Sequence, residues 1–406
     1  MYLKPAAFGA VLLCASLPAM AQQLDCTKSF GFRADINGSR GNTLCASNVD
    51  AFIDSAKNFT LSNAGYTQVS QATAMGRFND VNVVLRYDAR STTLHYDFVE
   101  LGMRGNFSGA NRDESEELFE EYVKKGDILG KVLRYQARNS ATSALTGPGG
   151  AIPMLAMSDF NTSFDNASRI GVPGAEQGAN NLLGVGLGYG SYNIDGGDDI
   201  KTTSLPLSYT IRNGDDPRHQ LVLSMPLTQV SVDGAKGYHA GLGAAYRLPL
   251  TDRWTLTPGV RYAVVASKDR ATVSTVMSAS LMSTYVLPLG GVDLAFGNMI
   301  GTYRTGKFSS GDYSFDPDVN LKMTRNGIMA SVPAAVFGAR MAAEFSLIDT
   351  RYLGSEKPYV TDSQEIGVTL GTNRNASNAR SFTRLGATYV RSKTTKGFTV
   401  NLGFWF

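Results

Sequence analysis

From Leu182 onward, apolar residues recur at every second position. Leu183, Val185, Leu187 and Tyr189 alternate with Gly184, Gly186, Gly188 and Gly190. Leu205, Leu207, Tyr209 and Ile211 alternate with Pro206, Ser208, Thr210 and Arg212, and Leu221, Leu223, Met225 and Leu227 follow. The pattern returns over Tyr238–Arg247 and Trp254–Val264, then near 273–287, 291–304, 320–333, 340–351, 359–371, 381–391 and 396–406. Side chains of a strand point to opposite faces in turn, so each run has one apolar face and one small or polar face. About twelve such strands at this spacing predict an all-β membrane barrel of antiparallel strands over 182–406.

The connections fit an even-stranded barrel with both strand ends in the periplasm. Leu250-Thr251-Asp252 and Leu289-Gly290-Gly291 are tight turns on that side, and the opposite side holds Asp195–Lys201 and the longest connection, Thr305–Val319. Most loops are short, which argues against a surface adhesin built from them.

The last strand, Lys396–Phe406, places Phe398, Val400, Leu402, Phe404 and Phe406 on one face, and Thr399, Asn401, Gly403 and Trp405 on the other. An exposed aromatic edge strand invites aggregation in water. Closing a barrel in a bilayer removes that edge. This stretch resembles the closing strand of bacterial outer-membrane β-barrel proteins. The resemblance implies that Phe398, Leu402, Phe404 and Phe406 form the signal read by the barrel-assembly machinery. The barrel is also similar in size to autotransporter translocator domains, although the region before it is short for a passenger and lacks repeats.

The chain ahead of the barrel has a different pattern. Residues 22–145 predict a smaller α/β domain, expected on the periplasmic side. Two or three strands are legible between Ala72 and Phe107, and a helix runs from Asn111 to about Arg138. Asn111 suits an N-cap. Acids crowd the first turns and bases the last, which complements the helix dipole, and Gly126-Asp127 divides the helix. Residues 146–181 are punctuated by Gly and Pro with no sustained period, and predict a structureless linker or a plug running into the lumen. Lys4, the apolar run Ala6–Leu17 and Ala19-Met20-Ala21 read as a signal peptide over 1–21. Export makes a Cys26–Cys45 disulfide the expected state of the two remaining cysteines.

Composition adds little. Net charge is +3 in 406 residues, too small to argue for nucleic acid, and no nucleic-acid partner is expected. Past the N-terminus there is no apolar run long enough for a membrane helix. No G-x-S-x-G elbow, metal-ligand spacing or phosphate-cradling loop is present, so neither a catalyst nor a cofactor is expected. Of the histidines, His95 lies in the N-terminal domain, His219 at a turn, and His239 in mid-strand on the lumen side. Alternation also turns Arg212, Arg247, Arg261, Glu344, Glu365 and Arg384 inward, because charge facing lipid is costly. These residues either line a narrow aqueous path or pair across a filled lumen.

The expectation is a protein of the Gram-negative outer membrane, in contact with its lipid. The leading function is passage of small solutes or of a chain segment, gated or plugged by the preceding stretch. The alternatives are an anchor whose periplasmic domain binds another envelope protein, or an autotransporter-type translocator.

Overall fold

The computed structural model describes residues 24, 26–52, 54, 65–164, 181–195, 199–310, 313–336, 339–372 and 382–406. The signal-peptide reading of 1–21 lies outside these residues, as does 165–180 of the connecting stretch.

The N-terminal region folds as one antiparallel sheet backed by two helices. Its strands are β1 (Phe30–Ile36), β2 (Leu44–Ala46), β3 (Ala72–Phe78), β4 (Val81–Tyr87), β5 (Thr93–Phe98) and β6 (Met103–Ser108), ordered β2-β1-β3-β4-β5-β6. The sequence reading missed β1 and β2. In β1 both faces are buried, with Arg33 packed inside beside Asp35 and Met75, so polarity does not alternate. Cys26 and Cys45 are joined as a disulfide beside this pair of strands.

Helices α1 (Arg112–Lys125) and α2 (Ile128–Asn139) cover one face of the sheet. Asn111 caps α1 by accepting from the Glu114 amide at 2.9 Å. Gly126 and Asp127, the latter with φ 53°, break the helix where the sequence placed the break. Phe119, Tyr122, Val123, Ile128 and Val132 pack on Val81, Val83, Tyr96 and Phe98, a burial that drives the association of helices and sheet.

The barrel is closed by twelve strands. In chain order they are β7 (Leu182–Ile194), β8 (Ile200–Arg212), β9 (Gln220–Val232), β10 (Ala235–Pro249), β11 (Trp254–Ser267), β12 (Thr272–Leu289) and β13 (Val292–Gly306). A small hairpin, β14 (Phe308–Ser310) and β15 (Tyr313–Phe315), occupies the longest connection. The strands β16 (Asn320–Val336), β17 (Ala339–Leu353), β18 (Asp362–Thr372), β19 (Phe382–Arg391) and β20 (Thr395–Trp405) complete the wall. β20 pairs with β7, with Leu402 opposite Leu187, so no edge is left. Each of the twelve wall strands is long enough to span a bilayer at a barrel's tilt.

The outer face carries an exposed belt that includes Leu187, Leu242, Val260, Ile300, Leu347, Ile366 and Leu402, Leu242 being 65% exposed. Such a band is stable against lipid and not against water. Aromatics flank it. Tyr209, Tyr246, Trp254, Tyr285, Phe404 and Phe406 lie toward one rim, and Tyr189, Tyr238, Tyr389 and Phe398 toward the other. The chain is therefore a transmembrane β-barrel of the outer-membrane kind.

The two mouths differ. At one, the outer ends of β7 and β20 meet, where Leu183 and Phe406 exchange backbone hydrogen bonds of 2.9 and 3.0 Å. The N-terminal domain sits on the other. Val49 donates to the Asp269 carbonyl at 2.7 Å, Asn79 to the Arg270 carbonyl at 2.8 Å, and the Asp316 amide to Asp127 at 2.9 Å. Arg134 pairs with Asp318 at 2.8 Å, Arg138 with Glu356 at 2.7 Å, and Lys28 with Asp233. The barrel strand ends and the N-terminal domain therefore occupy opposite mouths.

Candidate functional site in the barrel lumen

The chain crosses from the capped mouth into the lumen as a third helix, α3 (Ala151–Phe164). The sequence reading expected no regular structure here. The helical period is present, but its polarity is mixed. Ile152, Leu155, Ala156, Asp159, Phe160 and Ser163 form one stripe, and Met154, Met157, Ser158, Asn161 and Thr162 form the opposite one. A buried acid in the first stripe and two methionines in the second erase the contrast that signals an amphipathic helix. Pro153 falls in the first turn, where its missing N–H has no intrahelical partner to lose.

The turn into α3 needs glycine at Gly149. Its φ is +74°, and a Cβ there would stand 2.4 Å from Cγ2 of Thr202. The Gly149 carbonyl accepts from Nε2 of His239 at 3.1 Å, so the lumen histidine is held by backbone. On the domain side, Thr146 Oγ1 donates to the Ala137 carbonyl at 2.7 Å, and Ala151 and Ile152 donate to the Ala144 and Leu145 carbonyls, tying the turn to the end of α2.

α3 lies against one wall. Ile152, Leu155, Phe160 and Phe164 join a core with Val265, Val276, Met282, Met299, Tyr303, Leu321, Met323 and Met329, from β11, β12, β13 and β16. Gly297 and Gly327 make room for the aromatics, since a Cβ at Gly297 would lie 2.6 Å from the Phe164 ring and one at Gly327 3.0 Å from Phe160. Within this apolar contact Asp159 accepts from Arg261 Nε at 2.9 Å and Nη2 at 2.7 Å, and from Tyr303 at 3.2 Å. Ser163 bonds Thr257 and Thr284 at 3.1 and 3.0 Å. Near the helix end, Arg247 donates to the Thr162 carbonyl and to Gln220.

The remaining wall carries the polar and charged side chains of the lumen among apolar ones, and a cavity of about 290 Å³ separates it from the second stripe of α3. Gly186, Gly188, Ser204, Ser224, Thr369, Thr388 and Asn401 line it, together with Arg212, His239, Arg247, Glu344, Glu365 and Arg384. Arg384 pairs with Glu344. Arg325, absent from the sequence reading, makes a bidentate pair with Glu365 at 2.6 and 2.7 Å, and its guanidinium carbon lies 5.1 Å from the centre of the Phe160 ring. Arg325 was hidden because β16 is inverted over this stretch. Its inward neighbours are Leu321, Met323 and Met329, while Lys322 and Asn326 point outward.

Arg212, His239, Arg247, Glu344, Glu365 and Arg384 thus lie along the cavity, and Arg261 bonds the helix instead. Phe398, Leu402, Phe404 and Phe406 face outward. Among the described residues no three His, Cys, Asp or Glu side chains converge as metal ligands. The arrangement holds a helix in the lumen.

No protein-family model matches the chain, and no curated protein matches it. Among solved structures it is similar to the β domain of the Bordetella autotransporter BrkA, with 14% identity over 56% of this chain and 98% of that one and a TM-score of 0.41. It is similar to the translocator domain of autotransporter NalP from Neisseria meningitidis, with 12% identity over 63% and 97% of the two chains and a TM-score of 0.46. An outer-membrane channel from Pseudomonas putida F1 shows 13% identity over 56% and 95%, with a TM-score of 0.39.

Proposed function

We propose that this protein is a self-plugged outer-membrane barrel that carries its N-terminal domain across the membrane and anchors it on the outer mouth. One observation carries the reading. The outer ends of β7 and β20 lie at one mouth, the domain sits on the other, and α3 runs through the lumen between them. A barrel with an even number of strands keeps both strand ends on one side, which in outer-membrane barrels is the side of the short periplasmic turns. The domain then lies outside, and the lumen is its route. At about 1.5 Å per residue the fourteen residues of α3 span about 21 Å, most of the thickness of the membrane band.

The contacts suit a resting state after passage. Asp159, Ser163 and the Thr162 carbonyl each bond to the wall, and the domain is bonded to the rim through several strand connections. The protein acts as translocator and anchor of the displayed domain.

An epitope inserted at Gly38, an exposed turn position with φ +81°, tests the reading. Antibody should label intact cells. Labelling only after the outer membrane is permeabilised would place the domain in the periplasm and overturn it.

A further inference from the structure

The lumen is divided lengthwise. α3 closes the half bounded by β11 to β16 with apolar contacts, whereas the half bounded by β7 to β9 and β17 to β20 keeps the cavity of about 290 Å³. That cavity runs most of the barrel's height, from Thr202 and Thr228 near the capped mouth to Gln220 and Trp405 near the other. Its wall mixes apolar side chains such as Pro206, Val222 and Pro226 with hydroxyls, glycines and two ion pairs, and the polar groups among them are partners for water. Arg325 Nε is buried here and bonds to no protein atom, as expected of a donor that a water molecule satisfies.

At the capped mouth the character of this half changes. Tyr192, Ile200 and Val232 are buried together, with Ile194, Val230 and Val390 packed on them. They come from β7, β8, β9 and β19, strands that also wall the polar half. The Gly149 turn closes against the same group, since a Cβ on it would lie 3.6 Å from Ile200 and 3.8 Å from Val230.

We propose that, with α3 in place, the polar half is a hydrated side path for water and small ions, shut at the capped mouth by this apolar collar. A narrow apolar constriction excludes ions because they cannot enter without losing water, and it conducts once it wets. The barrel is then closed to small solutes by the collar and to larger ones by the helix, two separate barriers in parallel halves of one lumen.

Single-cysteine variants and collar variants of the full-length protein test this, with heat-modifiable gel migration confirming that each barrel is folded and the wild type as blank. A small thiol reagent bearing a trimethylammonium group should modify Thr388→Cys, on the polar wall, and leave Met299→Cys, behind the helix, unmodified. In planar bilayers Ile200→Ser combined with Val232→Ser should raise the conductance of the folded protein several-fold, while Met299→Ser should not. Equal reactivity at the two cysteines would show that the halves are not distinct. A folded collar variant as silent as the wild type would show that the collar is not the barrier. Either result overturns the proposal.

Discussion

Asp159 of the lumen helix receives Arg261 through both Nε and Nη2, at 2.9 and 2.7 Å, inside an otherwise apolar contact between helix and wall. Both side chains are almost fully buried. Breaking a buried pair by removing one partner costs about 3–5 kcal/mol, because the other charge is left without compensation. Arg261→Leu should therefore release α3 and produce open-channel current in planar bilayers. Adding Asp159→Leu should suppress that current again, since two apolar residues restore a neutral contact. A double variant as leaky as the single one would show that this pair does not hold the helix.

Gly297 tests the same seat without touching charge. Its missing side chain is filled by the Phe164 ring, only 2.6 Å from where a Cβ would stand. Gly297→Val should displace the end of α3, because overpacking a filled contact costs about 1–3 kcal/mol and the helix is the movable partner. Increased protease cleavage within residues 151–164, at unchanged yield of folded barrel, is the expected outcome. Unchanged cleavage would mean that the wall adjusts instead.

The cap is held partly by exposed ion pairs. Arg134 and Arg138 meet Asp318 and Glu356, and each such pair contributes no more than about 1 kcal/mol and weakens with salt. Asp318→Lys with Glu356→Lys turns attraction into repulsion. Hydrogen exchange at the rim amides of Asp269 to Thr272 should quicken in this variant, and in the wild type on raising salt. The buried bond from Asn79 to the Arg270 carbonyl, at 2.8 Å, should keep the domain docked, so exchange rather than dissociation is the measurement.

Phe404 and Phe406 lie on the lipid face with ring centres 5.5 Å apart, next to the seam where Leu183 and Phe406 bond. Changing both to Ser should lower the amount of heat-modifiable barrel in the outer membrane, because the closing strand loses its apolar face. The same yield as wild type would remove the assembly role given to this strand.

The barrel was legible in the sequence because its determinant is local. A strand with lipid on one side and a crowded lumen on the other must alternate, and β7 does so over residues 183–190, β8 over 205–212 and β10 over 238–247. The same alternation turned Arg247, Arg384 and Glu344 inward before any partner was known. The break at Gly126-Asp127 and the cap at Asn111 were legible for the same reason, since both are decided within one turn of chain.

What tertiary structure decided is everything that depends on two distant segments meeting. α3 has a helical period, but Asp159 lies on its packed stripe and Met154 and Met157 on its cavity stripe, so hydrophobicity along the chain could not reveal it. Arg261, 102 residues away, and Tyr303, 144 residues away, make a buried Asp159 tolerable. Arg325 was concealed by a wall that is apolar inside because a helix covers it. The mouth of the barrel on which the N-terminal domain rests also follows from the fold alone. The sequence by itself determined a membrane barrel with polar groups turned inward. That its lumen holds its own chain, and that the domain lies beyond it, was decided by long-range packing that leaves no periodic trace.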